Sequence, residues 1–319
     1  MEWPMQWLTI RRKLEYIVFR SLIAAAYVMP VWMQRAIGWS FAVLLCRAIP
    51  RKLTRYDVAF DNIRQAFGDQ YSDEEIDGII FRMWQHLIRL VVEVVQFSRH
   101  MKLENIFDIV EFQNKNAVVK ALCSGRPVIM LGGHFGSWET SVAAFGEFGF
   151  PMGVVARALD NPHLDDWFRR FREHTGHEMI DKKGGGQAMV ERLQQGQHLA
   201  LLGDQDAGRK GVFVEFFGRS ASTFKSIALL ALQHDAIICV GYAIRLPDSS
   251  PKVRYELGCE AVLDTRDFTD ANAIPELTQR YSSAIERAIR KAPDQYFWVH
   301  RRWKSQPVSK AERQERRAA

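Results

Sequence analysis

Residues 132–139 read Gly-Gly-His-Phe-Gly-Ser-Trp-Glu and follow the apolar run 128–131. Two glycines let a backbone turn sharply off the end of a strand. His134 and Glu139 are the side chains of this string with acid–base chemistry. Five residues apart within one helix, they would be rotated about 140° from each other. With His134 in the loop and Glu139 in the first turn of the following helix, the two can converge. An imidazole of near-neutral pKa can then take a proton from an alcohol, while a carboxylate orients it and stabilises the imidazolium. Ser137 is placed to cap the helix, whose N-terminus favours negative charge developing nearby. The plainer alternative is a structural histidine and a glutamate that only complements the helix dipole.

Such a loop needs a sheet behind it. After about residue 108, short apolar runs alternate with helical stretches. The runs 128–131, 152–155, 199–202, 237–244 and 253–257 predict strands, and 137–145, 164–174, 187–195, 224–233 and 274–291 predict helices. This alternation implies the α/β class: a central, mostly parallel mixed sheet flanked by helices, with antiparallel pairing open to the edge near Val253. In such sheets a site lies off the carboxyl ends of the strands, where His134 falls. Upstream, Ser72-Asp73-Glu74-Glu75 is a capping box. Apolar residues from Ile76 to Val91 then recur at three- and four-residue steps, predicting a helix to about Phe97. From Leu90 to Val95 they wrap almost right round it, with only Glu93 polar, so that end should be buried in protein or lipid.

The 319 residues carry 43 Lys and Arg against 37 Asp and Glu, a net charge of +6, and 47% of them are apolar. These proportions exclude a disordered or low-complexity chain, and a mean hydropathy of −0.19 excludes a multi-span membrane protein. Cys46, Cys123, Cys239 and Cys259 lie far apart, which fits neither a disulfide framework nor a zinc site. The charge is uneven. Residues 1–60 hold nine basic and three acidic side chains, residues 301–319 hold seven and two, and the body between is net acidic. Basic ends on an acidic body suit nucleic acid, an anionic membrane or an acidic protein. The apolar runs 21–33 and 36–46, with Trp3, Trp7, Trp32 and Trp39 and basic residues at their margins, favour a membrane surface. Neither run alone reaches the roughly 20 residues of a span, Arg35 would lie inside a joined one, and Pro30 interrupts it. A helical hairpin on the main domain is the alternative. The expected organisation is a membrane-associating helical segment 1–60, an α/β domain 61–304 and a disordered basic tail 305–319.

The string GGHFGSWE, preceded by RPVIML, resembles the His-x4-Asp/Glu motif of the lysophospholipid-acyltransferase-like superfamily, and specifically its lipid A biosynthesis late acyltransferase branch. VVARALDNPHLDDWFRRFR, LALLGDQDAG, GVFVEFFGRSAST and YFWVHRRWK resemble further segments of that branch in order, and so does the N-terminus ending in NIRQAF. The resemblance implies transfer of a fatty acyl chain from an acyl carrier protein to a hydroxyl of a glycolipid. It places the enzyme at the cytoplasmic face of the inner membrane, peripheral or single-span. It implies no metal and no cofactor beyond the acyl-carrier thioester.

By the same resemblance His134 and Glu139 are the catalytic pair. Arg157, Asn161, Asp204, Gln205 and Asp206 match its substrate-binding positions, although Ala156 stands where a tyrosine is usual. Arg157 follows a strand and can hold a phosphate or polarise the thioester carbonyl. Asp204 and Asp206 can bind a sugar hydroxyl or pair with Arg157. Arg219, with Ser220, Ser222, a capping Thr223 and Lys225, is a further anion-binding candidate. Lys182-Lys183-Gly184-Gly185-Gly186 could cradle a phosphate through backbone N–H groups. The aromatics Tyr296, Phe297, Trp298 and Trp303, among His300, Arg301, Arg302 and Lys304, read as core packing with a basic rim, and nucleic acid is not an expected partner. The acyl chain needs an apolar tunnel, expected near Leu90–Val95. The alternatives are the same chemistry on another phosphoglycolipid or a lysophospholipid, a hydrolase using the same pair, or a non-catalytic membrane adaptor.

Overall fold

The computed structural model describes residues 5–247 and 253–307. It opens with helices α1 (Met5–Val28) and α2 (Val31–Val43), the single turn α3 (Arg51–Thr54), α4 (Tyr56–Phe67) and the long α5 (Asp73–His100). The short α6 (Ile106–Ile109) leads into an alternating segment: β1 (Val110–Gln113), α7 (Lys115–Leu122), β2 (Val128–Gly132), α8 (Trp138–Glu147), β3 (Met152–Ala156), α9 (Pro162–Glu173), β4 (Glu178–Asp181), α10 (Gly186–Gln194) and β5 (His198–Leu202). A hairpin, β6 (Val212–Phe216) and β7 (Arg219–Thr223), precedes α11 (Lys225–Gln233), β8 (Ile237–Arg245), β9 (Tyr255–Asp264) and α12 (Ala273–Lys291).

Seven strands form one sheet in the order β1-β9-β8-β2-β5-β3-β4. Every pair is parallel except β8 with β9. The α/β class with a mostly parallel mixed sheet is therefore as expected. Central β2 and β8 read as unbroken apolar runs because both their faces are covered. One face packs on α4, α5, α11 and α12, where Ile63, Ile80, Leu277 and Trp298 are buried. The other is covered by α7 and α8. The connections leaving β2 and β5 diverge, β2 towards β3 and β5 towards β8, so the crevice between their carboxyl ends is the sheet's topological switch point.

Helix α5 starts at the expected capping box, with the Ser72 hydroxyl and the Glu75 side chain each bonded to the other's backbone. Its Leu90–Val95 stretch is buried in protein except at Val91, which is 65% exposed. Val92 and Val95 meet Ala26 of α1, and Glu93 is buried against Arg245 and Tyr255. The N-terminal helices break at Pro30 and not at Gln34-Arg35, because proline has no N–H to continue α1. The freed carbonyls of Ala26 and Met29 accept from the buried amide of Gln96, and Met29 also accepts from Gln34. Helix α4 runs through the expected boundary at residue 60, so no linker separates the N-terminal helices from the body. Their outer side exposes Leu14, Ile17, Leu22, Val28, Trp32 and Trp39. Trp3 and the side chain of Trp7 lie outside the described residues, as does the tail from residue 308. Among the described residues no helix is long and apolar enough to cross a membrane.

Candidate active site

His134 follows β2 and Asp204 follows the neighbouring β5. The His134 N–H donates to Asp204 Oδ2 at 2.7 Å, and its ring Nδ1 lies 2.7 Å from Oδ1. Gly133 makes room for this grip, since a Cβ there would stand 3.2 Å from Asp204 Oδ2. Burial depresses the His134 pKa, but the charge and hydrogen bond of Asp204 outweigh it and the net shift is upward. Burial alone would raise the Asp204 carboxyl, yet His134 holds it below the usual carboxylate range. Both directions describe an ionised Asp204 that accepts from Nδ1–H and leaves Nε2 of a neutral ring as the nitrogen with a lone pair. The Gln205 amide nitrogen lies 3.3 Å from Nε2.

The loop bearing His134 is fixed from three directions. Gly136 donates to Gln295 O at 2.9 Å, Ser137 to Ala243 O at 2.7 Å, and Phe297 donates to His134 O at 3.0 Å. Gly136 has φ +59°, and a Cβ there would come within 1.9 Å of Ala243 O. His86, buried in α5, reaches Gly136 O with Nε2 at 3.1 Å. Burial first, then the Arg245 charge, depress its pKa, so it is neutral and donates through Nε2–H. These bonds occupy the N–H groups of His134, Gly136 and Ser137.

Glu139 does not reach His134, because Asp204 holds Nδ1. Instead Glu139 is clamped by Arg172 of α9, with Nη2 2.6 Å from Oε1 and Nε 3.1 Å from Oε2. Ser137 sits at the helix start without capping it; its hydroxyl turns to Thr140 Oγ1. Arg157 pairs with Asp160 and not with Asp204 or Asp206, and is 79% exposed. Asn161 is buried, caps α9 at the His163 N–H and donates to Arg12 O and Glu15 Oε2, so its amide docks α9 on α1. Asp206 accepts from Ser305 and Gly208. Arg219, Ser220 and Ser222 lie in β7 of the hairpin, where the Arg219 guanidinium covers Trp303. Thr223 caps no helix and accepts from Arg302. Lys182 lies over Phe224 and its charge is felt at His134. Arg302 is 2% exposed, so it belongs to the interior and not to a rim. It donates to Gln205 O and Ser222 O, which ties the Asp204–Asp206 loop to the hairpin. Tyr296 and Trp298 are core residues, as expected.

Beside His134 lies a cavity of about 670 Å³. Its floor is the sheet from β3 across β5, β2 and β8 to β9 and β1, a width of about 24 Å at the usual strand spacing. Its roof includes Val118 of α7 and Val142 and Phe145 of α8, and it reaches Gly133 and Trp138 on either side of His134 in the chain. The walls are overwhelmingly apolar. The cavity is not at Leu90–Val95: none of those residues lines it, and Leu90, Val92 and Val95 are packed in the interior. Among the described residues no group of three or more His, Cys, Asp or Glu side chains is placed to hold a metal ion.

A histidine held by a buried carboxylate thus lies at the sheet's switch point, beside an elongated apolar cavity. The sequence matches the bacterial lipid A biosynthesis acyltransferase family over residues 9–305, and the chain belongs to that family and is an acyltransferase. It is 28% identical to the lipid A biosynthesis palmitoleoyltransferase of Escherichia coli, with 81% of each chain covered. It is 30% identical to the lauroyltransferase of the same organism over 57% of this chain and 58% of that one. A phosphatidylinositol mannoside acyltransferase of Mycolicibacterium smegmatis is 26% identical over 49% of this chain and 50% of its own.

Proposed function

We propose that this protein moves a fatty acyl chain from an acyl carrier protein thioester to a hydroxyl of a lipid A-type glycolipid, at the cytoplasmic face of the inner membrane. The observation that carries this reading is the His134–Asp204 pair beside the 670 Å³ apolar cavity. The cavity takes the acyl chain. His134 Nε2 takes the proton of the acceptor hydroxyl as its oxygen attacks the thioester carbonyl. The C–S bond then breaks, and the imidazolium returns the proton to the departing thiolate. Asp204 orients the ring and stabilises its cationic form, and Gln205 presents an amide N–H to the same face. No covalent intermediate on the protein is required.

A membrane site suits the N-terminal helices. Their exposed apolar side chains and Trp32 and Trp39 stand among exposed Lys13, Arg20, Arg47 and Lys52, a combination that favours an anionic lipid surface. The mycobacterial relatives favour a second acceptor class, another phosphoglycolipid. Mass spectrometry of whole lipids separates the two. In a strain lacking the protein, and in one carrying His134→Ala, one glycolipid should lose a single acyl chain, and its mass names acceptor and chain together. An unchanged lipid profile in both strains would overturn the proposal.

A further inference from the structure

Two cavities meet at Ala156 and Arg172. Arg172 forms part of the wall of the apolar cavity, and also of a smaller pocket of about 230 Å³. The smaller pocket is lined by three guanidiniums, Arg157, Arg169 and Arg172, against the carboxylates of Asp165 and Asp181, so it is net positive. The apolar cavity has four charged side chains in its lining. Lys115 and Lys120 stand at exposed positions of α7, and the other two are Glu139 and Arg172. Both are more than three-quarters buried, with side-chain exposures of 15% and 22%. A charge pair so placed carries a desolvation cost that a purely apolar contact between α8 and α9 would avoid.

We infer that Arg172 binds the anionic head of an amphiphile, a phosphate ester whose aliphatic chain lies in the apolar cavity, and that Glu139 is its positioning residue. The arrangement has the parts this needs. The planar fork of Arg172 is fixed by both Glu139 oxygens, which leaves Nη1, a donor outside that pairing. Arg169 is likewise held, by Asp165 and Asp181. Arg157 is the exposed member, paired with the 92% exposed Asp160. A phosphate entering the pocket meets two guanidiniums already held in place. Glu139 therefore acts at one remove from the chemistry, which differs from the role its spacing from His134 suggests.

In the acyl-transfer reading two substrates could bring the phosphate: the phosphodiester of the carrier's pantetheine arm, or a phosphate on the acceptor. Binding can be measured without either. Isothermal titration of the full-length protein with dodecyl phosphate and with dodecanol should show the phosphate bound at least about tenfold more tightly. Arg172→Met should erase that preference while still binding dodecanol, which reports an intact cavity. Arg172→Lys should keep part of it, and Glu139→Gln should weaken it. Equal preference in wild type and Arg172→Met, or none in wild type, overturns the inference, whatever becomes of the acyl-transfer proposal. Kinetics then name the source. If the donor supplies the phosphate, Arg172→Met raises KM for acyl carrier protein and not for acyl-pantetheine, which lacks it. If the acceptor does, the rise is confined to the phosphorylated acceptor and absent for its dephosphorylated form.

Discussion

The loops after β2 and β3 were equal candidates by their place in the chain, and the structure treats them differently. The His134 loop is buried and tied to β8, to α5, to the 295–297 segment and to Asp204. The Arg157 loop ends in a side chain 79% exposed, facing a partner more exposed still. Following a strand brings a residue to the rim of the sheet. Only neighbours from other parts of the chain hold it to one geometry, and acid–base catalysis needs that constancy more than anion capture does.

The contrast can be broken by substitution. His134→Gln should have the largest effect, a fall in kcat of about 10²–10⁴ with the circular dichroism spectrum retained; a loss below fivefold would remove His134 from the reaction. Asp204→Asn should cost about a hundredfold at neutral pH, because it frees the ring and removes the charge that favours its protonation. His86→Leu leaves Gly136 O without its donor, and should lower unfolding stability by about 1–3 kcal/mol in a urea titration; an unchanged midpoint would mean that the clamp holds without α5. Arg157→Ala should be mildest, less than about fivefold in kcat/KM, since an exposed ion pair contributes 0–1 kcal/mol. A hundredfold loss there would make the two loops equal after all.

The sheet was legible where strands are buried on both faces, because β2, β5 and β8 then read as apolar runs. Four-residue β1 and β4 gave too short a signal. The β6–β7 hairpin was hidden for a different reason. Its turn places Phe217 and Gly218 at φ +52° and +68°, a conformation usually announced by Asn-Gly. In the site, Gly-Gly-His before a helix was readable as a loop off a strand. The partner of His134 was not, since Asp204 lies 70 residues away and only the adjacency of β2 and β5 joins them. Glu139, nearer in sequence, was the natural choice and faces Arg172 instead. Arg302 misled in the opposite sense. A charged residue in a basic run reads as surface, yet carbonyl and hydroxyl acceptors inside the fold make its burial tolerable.

Asp204, and not Glu139, is placed to set the state of His134, and the pH dependence of kcat/KM tests this directly. A base must be neutral to accept a proton, so activity falls as pH drops through the His134 pKa. In the wild type Asp204 raises that pKa against the opposing effect of burial. Removing its charge in Asp204→Asn leaves burial unopposed, and the acid limb of the profile should move to lower pH as the plateau drops. Glu139→Gln should leave the limb in place, because its carboxylate is committed to Arg172. A limb that moves in Glu139→Gln and stays put in Asp204→Asn would contradict the account.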